Sequence, residues 1–130
     1  MNQQPVESSQ NGFFWHEKLR VWQRALELSA WAERIRSRIP RGRANLGDHL
    51  TRASDSVVLN VAEGAAVPGK AGCNHYRIAL REDAECHAIA TLLQIKKVPG
   101  AEEGIDLTHQ IRRGLTALIR ASSSAPRGRA

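Results

Sequence analysis

One stretch, residues 50–64, constrains the fold more than any other part of the chain. Its apolar and small residues recur at steps of three and four, the spacing of one helical face: Leu50, Ala53, Val57, Val61 and Gly64. A line of polar residues borders that face: Arg52, Ser56, Asn60 and Glu63. A solvated helix face would favour Lys and Glu, so this polar line indicates side chains that hydrogen-bond to a neighbouring helix.

Three further segments have the same helical periodicity. Together with the stretch above, they predict helices over about residues 16–38, 46–64, 73–97 and 103–120. Pro40 ends the first helix because proline disfavours helical geometry in the residue before it, and Asn45 is the predicted N-cap of the second. The segments 67–72 and 98–100 contain the Pro and Gly typical of loops. The sequence therefore predicts an all-α, antiparallel up-down-up-down four-helix bundle.

The length of 130 residues is that of one domain with its own hydrophobic core. We expect a flexible N-terminal arm over residues 1–13, the bundle over residues 14–120, and a disordered basic tail over residues 121–130. The chain has no secretory signal pattern and no apolar run near the ~18 residues of a membrane span, and its two cysteines suit a reducing compartment. The prediction is a cytoplasmic protein with no membrane contact.

The chain is basic, with a formal net charge of +6 and a sequence pI near 10.1. In an up-down bundle the C-terminal ends of the first and third helices meet, which brings two basic segments together. Their residues are Arg36, Arg38, Arg41, Arg43, Lys96 and Lys97. A basic end of this kind would contact the phosphates of RNA or DNA rather than read bases. The alternative is solvated charge with no ligand, favoured only by the helix dipoles.

The motifs of several chemistries are missing from the sequence. The carboxylates Glu63 and Glu85 have Arg neighbours that would keep both ionised, whereas a general acid needs a raised pKa. Cys73 and Cys86 lie too far apart along one helix to share a metal ion, and no glycine-rich phosphate loop is present. We therefore expect a protein that is not an enzyme and needs neither a metal nor another cofactor.

An antiparallel hairpin of the second and third helices would place Arg52 opposite Glu85. The same register would place Asn60 and Glu63 near Arg77. We interpret these contacts as a buried or half-buried network that fixes helix register, and the alternative is a polar binding site on the bundle surface.

Val58 and Leu59 project away from the predicted core stripe although both are apolar. Exposed apolar groups along helices commonly mark a subunit interface, so these two residues are the predicted oligomer interface. Trp15 and Trp31 are further candidates for exposed apolar side chains.

The central stretch also resembles the signature of a known family. The matching residues are Arg52-Ala53-x-x-Ser56-Val57-x-x-Asn60-Val61-Ala62-Glu63-Gly64, with Leu19-x-Val21-Trp22-Gln23-Arg24-Ala25-x-Glu27-Leu28 before them and Tyr76-Arg77-Ile78-Ala79 and Ala84-Glu85-Cys86 after them. The chain is similar here to four-helix-bundle proteins encoded in intervening sequences of large-subunit ribosomal RNA genes. The accessory variability protein of diversity-generating retroelements is a relative of that family.

The resemblance implies a pentameric ring of bundles without a known catalytic centre. It also implies nucleic-acid binding and association with a reverse transcriptase, as in the retroelement relative, and makes Arg52, Ser56, Asn60, Glu63 and Glu85 signature positions. The prediction for function is a non-enzymatic, oligomeric accessory or scaffold protein that binds phosphate backbones. The alternative is a purely structural protein–protein interaction module whose basic charge is incidental.

Overall fold

The computed structural model describes residues 14–123, and four long α-helices make up most of them. The helices are α1 (Arg20–Arg36), α2 (Ala44–Ala66), α3 (Gly69–Ile95) and α4 (Ala101–Ser123). Short 3-10 helices, Trp15–Lys18 and Arg41–Arg43, precede α1 and α2. The predicted arm and residues 124–130 of the predicted tail lie outside the described residues, while residues 121–123 extend α4 beyond its predicted end.

Each helix packs against its neighbours in sequence, and α4 returns to pack against α1. Polar contacts between helices show that residue numbers rise along one helix while they fall along its neighbour. The pairs are Ser29–Asp55 and Arg36–Asp48 for α1 and α2, Asn60–His75 and His49–Glu85 for α2 and α3, and Arg24–Gln110 and Arg34–Glu103 for α1 and α4. The prediction of an all-α, up-down-up-down four-helix bundle is confirmed.

The core lies on the axis of the bundle and is built by the predicted apolar stripes. Its largest fully buried apolar side chains come from all four helices: Leu28, Trp31, Ile35, Leu50, Val57, Val61, Leu93, Ile111 and Leu115. Such a core excludes water from the interface of every neighbouring helix pair, which is the main stabilising term for a bundle of this size.

Trp31 is the largest of these side chains, and it joins α1 to α4. Only 2% of the residue is exposed, and its indole Nε1 donates a hydrogen bond to the Gly100 carbonyl at 2.9 Å. The ring lies directly over Gly104, where an added Cβ would overlap it. The suggestion that Trp31 is an exposed apolar group is therefore wrong, because a glycine on α4 leaves room for the whole ring.

The second close approach joins α2 to α3 at the end of the signature stretch. A Cβ on Gly64 would lie 2.5 Å from Cε1 of Tyr76, so only glycine lets the Tyr76 ring pack against α2 there. Burial raises the pKa of the Tyr76 hydroxyl, with a smaller contribution from Cys73. Gly64, the second residue of the Glu63-Gly64 pair in the signature, thus has a packing role.

The predicted N-cap of α2 is wrong. The helix already includes Ala44 and Asn45, and the residue that precedes it, Arg43, makes no side-chain cap. The 3-10 turn Arg41–Arg43 leads directly into α2, since the Arg43 amide bonds to the Pro40 carbonyl at 2.8 Å. This turn supplies the helix start without an Asn cap.

No helix within residues 14–123 combines the length and the apolar character needed to cross a membrane.

Replacing Gly104 with Ala tests the contact between Trp31 and α4. The added methyl group must displace the Trp31 ring, and overpacking of this kind costs about 1–3 kcal/mol, offset by up to about 1 kcal/mol of helix propensity. We expect a net loss of about 1–2 kcal/mol in the free energy of unfolding, measured by urea denaturation. Gly42→Ala is the matched control, because nothing lies within 4 Å of its added Cβ. Equal stability of the two variants would contradict this packing.

Candidate functional site

The polar line of α2 faces α3, but its partners differ from those predicted. Arg52 does not pair with Glu85 directly. Its Nη2 lies 3.0 Å from Nδ1 of His49, and the same nitrogen lies 3.5 Å from Oε2 of Glu85. Because Arg only donates, Nδ1 accepts from Arg52 when Nδ1 carries no proton, whereas a protonated Nδ1 would donate to Glu85. His49 therefore stands between the two predicted partners.

The other end of the polar line contacts His75 rather than Arg77. The Asn60 amide donates to the backbone oxygen and the hydroxyl of Ser56, at 3.0 and 3.1 Å. Its oxygen lies 3.1 Å from Nδ1 of His75, and Nε2 of that ring lies 3.3 Å from Glu63. Arg77 instead directs its Nη1 toward the sulfur of Cys73, at 3.6 Å. The predicted proximity of Arg77 to Asn60 and Glu63 is wrong.

The network is partly solvated. Arg52 and Glu63 are exposed, while Ser56, Asn60, His75 and Glu85 are half-buried. Exposed ion pairs typically contribute less than about 1 kcal/mol, so these contacts add little stability. The network is therefore half-buried to exposed rather than fully buried, and its role in fixing the helix register stays a prediction.

The six predicted nucleic-acid-binding residues differ in their environments. Arg38 joins the two segments, because its Nη1 donates to the Pro99 carbonyl at 2.9 Å in the loop after α3. Lys97, which precedes that loop, is exposed and has the left-handed φ of 61°. Lys96 is half-buried.

Arg41 and Arg43 are exposed on the 3-10 turn before α2. Arg36 differs from the others because it forms an ion pair with Asp48 and a weak hydrogen bond to Thr51. Part of the predicted basic charge is therefore neutralised within the bundle, mainly at Arg36.

The two predicted interface residues have different environments. Leu59 is 63% exposed, but Val58 is half-buried and packs against the core. The prediction that Val58 projects away from the core is therefore wrong in part. Leu26 of α1 is also exposed. Leu26 lies one helical turn before Ser29 on α1, and Leu59 lies one helical turn after Asp55 on α2. Because the two helices are antiparallel, both leucines lie on the same side of the Ser29–Asp55 hydrogen bond.

The polar residue that sequence reasoning missed is Asp83. It is 2% exposed, and its Oδ1 has no hydrogen-bond partner within residues 14–123. Burial raises its pKa to about 8, and the Arg112 guanidinium opposes that rise. A carboxyl group buried in this way is mostly protonated at neutral pH.

Asp83 lines a groove between α3 and α4 together with two histidines. The groove has a volume of about 370 Å³. The rings of His87 and His109 meet edge to face across it, with centroids 4.8 Å apart. Burial lowers the pKa of His87, and His109 lowers it further. Within residues 14–123 no group of three or more His, Cys, Asp or Glu has the geometry to hold a metal ion.

Both cysteines are reduced and buried. Burial raises the pKa of the Cys86 thiol well above its ordinary value, with Asp83 as the next cause. A thiol of this kind is neutral and unreactive, so Cys86 acts as a small core residue.

The raised pKa of Asp83 predicts how stability depends on pH. The carboxyl titrates near 3.8 in the unfolded chain and near 8 in the folded protein. Protonation therefore stabilises the fold, and this contribution is complete below pH 4 and is lost as the pH rises through 8. The other titratable groups near this carboxyl are Cys86, His87, His109 and Arg112. A substitution of Asp83 leaves all four in place.

Asp83→Asn removes this titration but keeps the shape of the side chain. As the pH rises from 5 to 9, we expect the free energy of unfolding of the variant to increase relative to wild type by on the order of a few kcal/mol. Urea denaturation at both pH values measures that gain. A difference between the two proteins that does not change with pH would show that Asp83 titrates normally in the folded protein.

Comparisons with known proteins agree with this bundle. A family model described as the 23S rRNA-intervening sequence protein matches residues 17–120, which is most of the chain and all of α1, α2 and α3. No curated protein matches the sequence. The family match confirms the resemblance seen in the residues around Asn60 and Glu63. The chain therefore belongs to the 23S rRNA-intervening sequence protein family.

Proposed function

We propose that this chain is a non-enzymatic, self-associating bundle that binds the phosphate backbone of RNA or DNA through one basic end. The contact between Arg38 and the Pro99 carbonyl carries the proposal, because it ties the end of α1 to the loop that follows Lys96 and Lys97. The family description, which names an intervening sequence of 23S rRNA, supports nucleic acid as the class of ligand.

The contributions of the basic residues to this surface are unequal. Arg41, Arg43 and Lys97 are exposed and form no ion pair within residues 14–123, so they are the main phosphate contacts of the proposal. Arg38 and Lys96 support them from the adjoining segments. Arg36 contributes less, because Asp48 already pairs with it. Contacts to phosphate alone position a protein on nucleic acid without reading its sequence.

Self-association would strengthen such binding. The exposed Leu59 and Leu26 supply an apolar patch across α1 and α2 for a second copy. A ring of five bundles, as the family resemblance implies, would repeat the basic end and add weak contacts through avidity. A reverse transcriptase, or another protein that acts on nucleic acid in the cytoplasm, is the kind of partner that such an accessory protein would assist.

The second candidate is a purely structural interaction module. It is favoured by the ion pairs Arg34–Glu103 and Arg36–Asp48, which neutralise basic side chains near the same end of the bundle. The two functions differ in one measurable property, since only the first requires affinity for nucleic acid.

Charge reversal at Arg41 and Arg43 tests the nucleic-acid surface. We expect wild type to bind labelled RNA and duplex DNA with little sequence preference, and the affinity to fall steeply as salt increases. The double variant Arg41→Glu/Arg43→Glu should bind at least about tenfold more weakly and with a smaller salt slope, because it loses phosphate contacts. The measurement is fluorescence anisotropy over a salt series.

The matched control is Arg81→Glu/Arg113→Glu, which makes the same change in net charge at exposed positions on α3 and α4. If both double variants lose affinity equally, the attraction comes from net charge rather than from the basic end. No binding by wild type at low salt would favour the purely structural module.

The interface prediction is tested at Leu59. Leu59→Lys places a charge in the apolar patch, so we expect a lower oligomer mass by light scattering with an unchanged far-ultraviolet helical signal. Ile95→Lys is the matched control, since Ile95 is 68% exposed at the end of α3 and lies outside this patch. An unchanged mass for Leu59→Lys would place the subunit interface elsewhere.

A further inference from the structure

The groove between α3 and α4 has features that neither the bundle core nor the proposed basic end uses. Its volume of about 370 Å³ lies within the usual range of small-molecule sites. Leu80 and Ala84 form an apolar wall, and the polar lining residues include Asp83, His87, His109 and Arg112. A largely apolar groove with a few converging polar groups is the common form of a binding site for a small organic molecule.

Four polar side chains of the groove have unused hydrogen-bonding groups within residues 14–123, whereas Thr108 bonds to backbone carbonyls of its own helix. Oδ1 of Asp83 is buried without a hydrogen bond, and Arg112 forms no ion pair within the part of the chain that the structure describes. The ring nitrogens of His87 and His109 also make no hydrogen bond there. A buried polar atom without a partner destabilises the protein, so a ligand that satisfies it gains free energy on binding.

The charges of the groove favour one class of ligand. The Asp83 carboxyl is mostly protonated at neutral pH, so it offers a donor rather than a negative charge. Arg112 adds a fixed positive charge with a fork geometry that matches a carboxylate. A cationic ligand would meet repulsion from Arg112 and would have no ionised partner in Asp83.

We propose that this groove binds a small organic carboxylate whose apolar part lies against Leu80 and Ala84. The carboxylate accepts hydrogen bonds from the Arg112 guanidinium, and Asp83 and the two imidazoles supply the remaining polar contacts. This site is distinct from the basic end, because Arg112 lies in the middle of α4 rather than at the α1 terminus. It gives the bundle a means of responding to a metabolite-sized anion.

Benzoate is the probe for this proposal, because it joins a carboxylate to a compact apolar ring. The experiment titrates benzoate into the full chain at constant ionic strength and pH 7 and follows the His87 and His109 ring resonances by NMR. We expect saturable shifts of both rings. Acetate, which lacks the apolar body, should bind at least about tenfold more weakly, and benzylammonium, which reverses the charge, should give no saturable shift.

Two Arg variants separate a specific site from general charge attraction. Arg112→Gln should weaken benzoate binding about tenfold or more, since an ion-paired hydrogen bond is lost. Arg113→Gln is the matched control at the next position on α4, and Arg113 does not line the groove. Arg112 and Arg113 are both exposed, so neither change should disturb the helical signal.

Three results with the organic ligands would overturn the proposal. They are shifts that never saturate with benzoate, equal weakening by Arg112→Gln and Arg113→Gln, and tighter binding of benzylammonium than of benzoate. Inorganic phosphate, titrated in parallel, distinguishes the carboxylate site from a general anion site, because it lacks an apolar part. Binding of phosphate as tight as that of benzoate would also contradict the proposal.

Discussion

The contact between Trp31 and α4 is the constraint on which the arrangement of the rest of the bundle depends. The indole ring fills the space above Gly104, and its Nε1 bonds to the carbonyl of Gly100 in the loop before α4. These contacts close the bundle between its first and last helices, which have the longest separation in sequence. Two turns later, Arg38 bonds to the Pro99 carbonyl of the same loop, so the end of α1 is fixed beside the end of α3. The proposed nucleic-acid surface lies at that junction.

The polar residues of the bundle differ greatly in their effect on stability. The α2–α3 network of Arg52, His49, Glu85, Asn60 and His75 is partly solvated, and each contact contributes little. Asp83, by contrast, is almost fully buried, and its Oδ1 has no hydrogen-bond partner among residues 14–123, which destabilises the ionised protein. A destabilising polar group retained in a core is the pattern expected where a site serves a ligand rather than the fold. The groove around Asp83 is the site for which we propose a carboxylate ligand, and a ligand there would offset part of the cost of burying Asp83.

Much of the fold could be predicted from the helical periodicity of the sequence. The predictions that are wrong have physical reasons. The core stripe of α2 follows directly from Leu50, Val57 and Val61, because helical spacing is a local property. Periodicity does not show that Trp31 is buried, since the space that receives its ring is created by Gly104, far away in sequence. Contacts between side chains of neighbouring helices depend on the register of those helices. The residue of α3 that contacts Asn60 is His75, two positions before the predicted Arg77. Asp83 did leave a signal in the sequence, as an acidic residue on the buried stripe of Ala79, Cys86 and Ala90.

Hydrogen exchange of the full chain, with and without RNA at low salt, tests the proposed binding surface most directly. If the basic end is that surface, amide exchange slows in peptides covering residues 36–44 and 94–100, because phosphate contacts hold those termini closed. The protection should disappear at high salt, while exchange in the middle of α2 and α4 stays unchanged. Protection that falls instead on the middle of the helices, or persists at high salt, would contradict a phosphate-binding surface at the junction of α1 and α3.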